Sequence, residues 1–347
     1  MTCTALNMKI LFVYYNLHPS HKGFAESIKA DLWYYNHYFN NKKYPRIFKS
    51  AMNGILLPDY PVYICEGGAP LTPVAIKKIT NNKSINIELI ADETFFMLKE
   101  TPKEMKSTFT DFVNRTHRIA SKYIDGALAG SALTRETAKE FLDVPIRIVY
   151  PYIMDDRYER LGKITRSCEG HTILSIGNGD IKGMDILIEA FKIVKEEIDD
   201  VELYIVGKGF PKKWNEIKGV HFTGYFDDPT QFFENASLYV QSSRADSFSV
   251  ATLESLRAGL PTIVTEGVGA KEIVEKLDRN FVRKIDAEDI AKGIVYYFDL
   301  SHQTKKELSI KARKESEKFN RVEMCNKFRN EFNLLMEDIT GNQTHSV

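Results

Sequence analysis

Short apolar runs alternate with longer amphipathic stretches along almost the whole chain, a pattern that predicts strands and helices in turn. In the first half the runs are Lys9 to Tyr15, Pro61 to Cys65, Ile85 to Ala91, Gly126 to Gly130 and Ile146 to Tyr152. In the second half they are His171 to Gly177, Val201 to Gly207, Gly219 to Tyr225, Ser237 to Ser243 and Leu260 to Glu266. β-Branched and aromatic residues crowd these runs with little polar alternation, so the strands are expected to be buried on both faces, as in a parallel sheet covered by helices. The fold class is therefore α/β, built as two series of βαβ units. Residues Met154 to Gly170 are charged and show neither period, and the linker between the two series is expected there. From about Lys305 to Asp338 the pattern is helical, with Phe319, Val322, Phe328, Phe332 and Leu335 available to pack.

A length of 347 residues suits two domains of roughly 150–180 residues, each able to bury its own core. The 47 basic and 47 acidic side chains leave no global field, which argues against a dedicated nucleic-acid binder. Residues 1–160 hold 21 basic and 17 acidic side chains and the remainder 26 and 30, so the first half is mildly positive and the second mildly negative. Cys3, Cys65, Cys168 and Cys325 are scattered without metal-ligand or disulfide-framework spacing. The N-terminal apolar run lacks a basic lead-in and a small-residue cleavage site and reads as a first strand. No stretch approaches the ~20 apolar residues needed to span a bilayer. A cytoplasmic protein is the expectation.

The densest chemistry lies in Leu238 to Val264, LYVQSSRADSFSVATLESLRAGLPTIV. A strand ends at the serines, a polar loop follows, and a helix is expected from Ser247–Ser249 to Gly259, capped by serine at its start and stopped by Gly259 before Pro261. Free amides at such a helix start, on the C-terminal edge of a parallel sheet, suit a diphosphate. Asp246 and Glu254 flank them, and a carboxylate can accept hydrogen bonds from both hydroxyls of a vicinal diol. A nucleotide sugar fits that spacing, while an N-cap aspartate and a solvated helix glutamate would fit it equally. Ile173 to Val194 runs from strand through Gly177, Gly179 and Gly183 into a helix, with Lys182 able to set a cation beside phosphate oxygens. These glycines do not have the dinucleotide-binding spacing, which disfavours a dehydrogenase.

The stretch from Asp246 to Val264 resembles glycosyltransferase family 4, whose retaining, metal-independent GT-B members carry two acids separated by seven residues in a Glu-Gly-Phe-Gly-Leu pattern. Phe248, Leu253, Glu254, Gly259 and Pro261 match it, while Asp246 stands for the first Glu and Ser247 and Ser249 for the glycines. The resemblance covers Ile173 to Glu275 closely and the closing helix loosely. It implies two Rossmann-like domains facing across a cleft: an acceptor domain at 1–155, a donor domain at 156–318, and a helix at 319–347 that crosses back to the first. Asp246 and Lys182 would then be catalytic, with Asp246 on the donor sugar. Glu254 would hold the ribose, and Lys182 and the amides near Ser249 and Val250 the diphosphate. Asn178 stands where the family's phosphate-binding Arg is found. Ser247 and Phe248 would line the donor, Gly23 would be the remnant of a glycine-rich loop after the first strand, and Tyr225 and Phe226 would border the base.

The implied partners are a UDP- or GDP-linked sugar and a carbohydrate or lipid-linked acceptor, with no metal or other cofactor and no nucleic acid. His18 and His21 lie in the first loop, and Asp92 and Glu93 stand where many members have a sugar-contacting His. The aromatic run Leu32 to Phe39, followed by Lys42, Lys43, Arg46 and Lys49, is a candidate acceptor or peripheral membrane contact of the N-terminal domain. Two other activities stay open: a nucleotide-sugar epimerase of GT-B fold, and a non-catalytic relative that binds without transferring.

Overall fold

The computed structural model describes residues 8–35, 45–81, 83–99 and 108–343. The chain forms two compact units, one of residues 1–151 with 321–347 and the other of residues 152–320.

The first unit holds a six-stranded sheet of β1 (Ile10–Tyr14), β2 (Asp31–Tyr34), β3 (Val62–Glu66), β4 (Ile85–Ile90), β5 (Gly126–Ala129) and β6 (Ile146–Ile148). The strands run parallel in the order β2-β1-β3-β4-β5-β6. Its five predicted runs all become strands. β2 was not anticipated; it overlaps the start of the aromatic run from Leu32, and two of its four residues are exposed, so its signal is that of an edge strand. Asn36 to Phe39, Lys42, Lys43 and the Arg46 side chain fall outside the described residues.

Within this unit the helix Arg321–Gln343 packs against the helix Pro19–Ser27, with the rings of Phe24 and Phe328 stacked at 4.4 Å. Arg329 Nε donates to the Ser27 carbonyl at 2.9 Å, closing the end of the shorter helix. The expected long closing helix is in fact two, His302–Ser316 and Arg321–Gln343, and Val322 is 70% exposed rather than packed.

The core of this unit contains an acid and an imidazole. Glu88, in the middle of β4, and His117 are both buried, 3.4 Å apart, with no hydrogen-bond partner among the described residues for any of their side-chain N or O atoms. Burial pushes the Glu88 carboxyl well above its usual range and holds the His117 imidazole down to about 4. Burial thus disfavours the charged form of each partner, and the contact does not count as an ordinary salt bridge. Two opposite stability slopes follow. The His117 contribution is complete above its unfolded value of 6.5 and lost as pH falls toward 4. The Glu88 contribution is complete below 4.5 and lost as pH rises through its elevated folded value. Glu88→Gln should therefore flatten the alkaline loss and leave the acid limb in place, as read by urea denaturation from pH 5 to 9.

The second unit holds β7 (Thr172–Ile176), β8 (Glu202–Val206), β9 (Val220–Gly224), β10 (Leu238–Gln241), β11 (Thr262–Thr265) and β12 (Val282–Arg283). They pair in parallel in the order β12-β11-β10-β7-β8-β9. All five predicted runs are strands, and the two-residue β12 was too short to show a period. The helix Met184–Glu197 buries Met184, Leu187, Ile188, Ala190, Phe191 and Val194, an apolar stripe at helical spacing.

The stretch expected to be an irregular linker instead contains a helix, Asp155–Gly162. Asp155 and Asp156 fill its first turn and Arg160 its last, the charge order that favours a helix dipole. Two arginines close helix ends around it. Arg313 donates to the carbonyls of Gly162 (2.9 Å) and Ala258 (2.9 Å). Arg166 donates to Ala258 (3.1 Å), Ala236 (2.6 Å) and Phe233. Burial, with Arg313 nearby, lowers the Arg166 guanidinium to about 10, still charged at neutral pH. These donors satisfy orphan carbonyls and fix the helices Asp155–Gly162 and Val250–Arg257 beside each other.

Candidate donor site at the second switch point

In the second sheet the strand order reverses between β7 and β10, where open parallel sheets bind ligands at the carboxyl ends of their strands. The two stretches singled out from sequence are the loops that leave these two strands. After β7, residues Asp180–Lys182 make a 3-10 turn that ends at Gly183 in the left-handed region, φ +65°. A Cβ at this position would lie 2.0 Å from the Ser242 carbonyl oxygen, so only glycine permits the approach. Ser242 Oγ donates to the carbonyls of Lys182 (3.1 Å) and Gly183 (2.9 Å), and the Arg244 amide to Ile181 (2.8 Å). The two loops are thus stitched together. Gly183→Ala should force them apart, costing about 2–4 kcal/mol through strain and clash. A calorimetric Tm within a degree of the parent would contradict this.

That stitching carries Lys182 to Asp246, Nζ to Oδ2 at 2.7 Å. The other Asp246 oxygen accepts the Phe248 amide at 3.2 Å, and the Asp246 backbone is clamped by Gly267 and Gly269. Asp246 is therefore not the N-cap of the following helix. Nor is that helix capped by a serine side chain: it spans Val250–Arg257, and Ser249 precedes it without a side-chain cap bond. Ser249 instead takes φ +74°, a glycine-like backbone at a position where the resembling family has glycine. Its hydroxyl bonds Gln241 Oε1 at 3.3 Å and receives Thr252 Oγ1 at 3.0 Å, contacts that help hold the strained conformer. The amides of Val250 and Ala251, at the first helical positions, have no acceptor within the helix. Gly259 ends the helix at φ +72°, as the sequence predicts.

Glu254 is buried, 4% exposed, and burial raises its carboxyl above the ordinary range. Arg157 opposes that shift, with Nη1 to Oε1 at 2.7 Å. The same guanidinium donates through Nη2 to the Asp227 carbonyl at 2.6 Å. Arg157 was missed in the sequence because its helix was read as linker. The charges of Asp246 and Glu254 both push up the Tyr239 phenol, after the larger effect of burial, which places both acids near the end of β10.

The remaining candidates divide. Asn178 does not present its amide oxygen outward; Oδ1 accepts the Lys208 amide at 2.6 Å and knits the β7 loop to the β8 loop. Ser247 and Phe248 are buried, and the Phe248 ring packs 6.0 Å from Phe319, so its side chain belongs to the core. Tyr225 and Phe226, after β9, are 62% and 38% exposed, and Lys208 Nζ lies 5.5 Å from the Tyr225 ring centre. Gly23 is not a loop residue: it is buried inside the helix Pro19–Ser27 of the first unit.

A family model described as glycosyl transferases group 1 matches residues 170–299, the segment that contains both loops. An uncharacterized glycosyltransferase of Haemophilus influenzae is 26% identical over 137 residues, 36% of this chain and 39% of that protein. The chain thus spans well under half the length of that relative. Two solved structures extend the likeness to nearly the whole chain. Sucrose-phosphate synthase from Thermosynechococcus elongatus has a TM-score of 0.73 at 12% identity, covering 95% of this chain and 99% of its own. Anabaena HepE in complex with UDP-glucose has a TM-score of 0.68 at 15% identity, covering 94% and 99%. At such identities the likeness establishes fold. Residues 170–299 match the model of the group 1 glycosyltransferases, and the chain that carries them has the GT-B fold.

Proposed function

We propose that this protein is a glycosyltransferase that holds a nucleotide-sugar donor at the switch point of its second unit and transfers the sugar with retention to a carbohydrate or lipid-linked acceptor. The observation that carries the reading is the stitched pair of loops, which sets a lysine, a helix start with open amides and two acids at the ends of β7 and β10. Lys182 and the Val250 amide would receive the diphosphate, supplying positive charge without a metal. Glu254 would take the ribose diol through Oε2, which has no hydrogen bond among the described residues, while Arg157 holds Oε1. Asp246 would take sugar hydroxyls once Lys182 turns to phosphate. Tyr225, left exposed after the edge strand β9, would border the base.

In the transfer itself, the acceptor hydroxyl oxygen bonds to the anomeric carbon on the face from which the diphosphate departs. The breaking C–O pair goes to the diphosphate, which also takes the hydroxyl proton. Among the described residues no helix is long and apolar enough to cross a membrane. The site is expected to work in the cytoplasm, with any membrane contact peripheral.

A thermal-shift screen of UDP-, GDP- and ADP-sugars tests the donor assignment: one nucleotide class should raise Tm by several degrees at saturation. No shift with any of them would remove it. Incubation of the stabilising donor without acceptor separates the activities. Slow hydrolysis fits a transferase, an altered sugar an epimerase, and an untouched donor a binding subunit.

A further inference from the structure

The second unit has a hollow that the donor reading does not use, on the other face of its sheet. The helix Met184–Glu197 joins β7 to β8 and the helix Val250–Arg257 joins β10 to β11, so the two crossovers leave the switch point in opposite directions. Right-handed crossovers then put the two helices on opposite faces. The hollow lies beside the first helix, not the one that carries Glu254. It encloses about 630 Å³, in the range of ligand sites, between that helix, the turn Lys212–Glu216 after β8 and the segment that follows β12.

Its apolar surface is the Trp214 indole with Ile186 and Ile285, the last of these 37% exposed. The indole lies nearly parallel to the rings of Phe210 and Phe222, 6.2 Å from each at 27° and 21°, and this stack fixes its plane. Polar groups of both kinds stand around it: Asp185 and Glu189 accept, Lys213 and Arg244 donate. The Arg244 guanidinium is held in a fork by Asp185, Nη1 to Oδ1 at 2.7 Å and Nη2 to Oδ2 at 2.6 Å, and Nη1 also donates to the Asp180 carbonyl at 2.8 Å. The rim is therefore as ordered as the floor.

We infer that this hollow is a binding site for a neutral oligosaccharide, separate from the donor loops. A pyranose offers an apolar C–H face and a rim of hydroxyls that both donate and accept. The electron-rich face of the indole meets the first and the mixed rim meets the second. Charge narrows the class further. The acids of the lining outweigh its two cations, which disfavours a phosphorylated ligand, while Lys213 and Arg244 oppose a polyamine. The inference goes beyond the transferase reading and does not rest on it, since a chain that moved no sugar would hold the saccharide equally well.

The chain has two tryptophans, so Trp33→Phe leaves Trp214 as the single indole reporter. Titration of that variant with maltohexaose, cellohexaose and chitohexaose should give a saturable change in emission with at least one of them, and none with glucose 6-phosphate. Calorimetry on the full wild-type chain with the same hexasaccharide should return the same affinity. Trp214→Ala should weaken it by about ten-fold or more, as for an aromatic anchor, and Trp214→Phe by less. Lys213→Ala and Glu189→Ala should each cost about two- to ten-fold, the worth of a hydrogen bond. Lys182→Ala and Glu254→Ala should leave it unchanged. Circular dichroism identifies any variant that fails to fold, and the exposed Lys213 and Glu189 keep the test open if Trp214→Ala does. No binding of any of the three hexasaccharides, parental affinity in the folded hollow variants, preference for the phosphate, or loss of binding in Lys182→Ala would overturn the proposal.

Discussion

Removing the Lys182 ammonium should weaken nucleotide-sugar binding by about 10- to 100-fold, or about 1.4–2.8 kcal/mol, the range for a charge-assisted contact to phosphate. The cation sits at the centre of the stitched loops and would exchange the Asp246 carboxylate, at 2.7 Å, for the diphosphate. Lys182→Ala also leaves Asp246 without that cation, and the remaining negative charge would then face phosphate. Lys182→Arg should recover only part of the affinity, because a planar fork does not reproduce a compact ammonium held by a tight turn. Glu254→Ala should cost a similar factor through loss of the ribose contact. Calorimetric titration with the stabilising nucleotide sugar reads both, and affinities equal to the parent would contradict the assignment.

The second large effect is expected at Arg157, a residue outside the motif that favours the charged form of a motif residue. Glu254 already titrates above the ordinary carboxylate range because it is buried, and Arg157 is what limits the shift. Without the guanidinium the folded value rises further. A group with a raised folded value contributes stability that is complete below its unfolded value, here 4.5, and lost as pH rises through the folded one. Arg157→Met should therefore be close to parental at pH 5 and less stable by about 2–4 kcal/mol at pH 8, somewhat under the cost of breaking a fully buried pair. Arg157 is 25% exposed at its side chain, which argues for the lower part of that range. Arg157→Lys should restore part of the alkaline stability. Denaturation midpoints at pH 5 and 8 decide the matter, and a loss independent of pH would point to packing instead.

The strand framework was legible because each buried strand is a dense apolar run between helical periods, and the ten runs read from sequence are ten of the twelve strands among the described residues. β2 and β12 escaped because both are short edge strands whose residues alternate little and stay partly exposed. The acids, the lysine and the glycines of the second unit were legible because their spacing is local, within one loop and one helix. What escaped depends on side chains distant in sequence. Arg157 and Glu254 are 97 residues apart, and Arg244 and Asp185 are 59 apart. In hindsight Arg157 had a weak local signal. Asp-Asp-Arg-Tyr-Glu-Arg carries the acid-to-base order of a short helix. Asn178 and Ser249 show the converse. Their positions in the motif were read from sequence, but what each contributes, a loop-to-loop bond and a glycine-like φ, follows only from the backbone around them.

The most direct test is a crystal structure of the full chain with the nucleotide sugar that gives the largest thermal shift. It should show the ribose hydroxyls on Glu254, with Arg157 still bonded to the same carboxylate, and the diphosphate on Lys182 and the Val250 amide. A nucleotide bound away from the ends of β7 and β10, or one that leaves the Lys182–Asp246 pair untouched, would contradict the account.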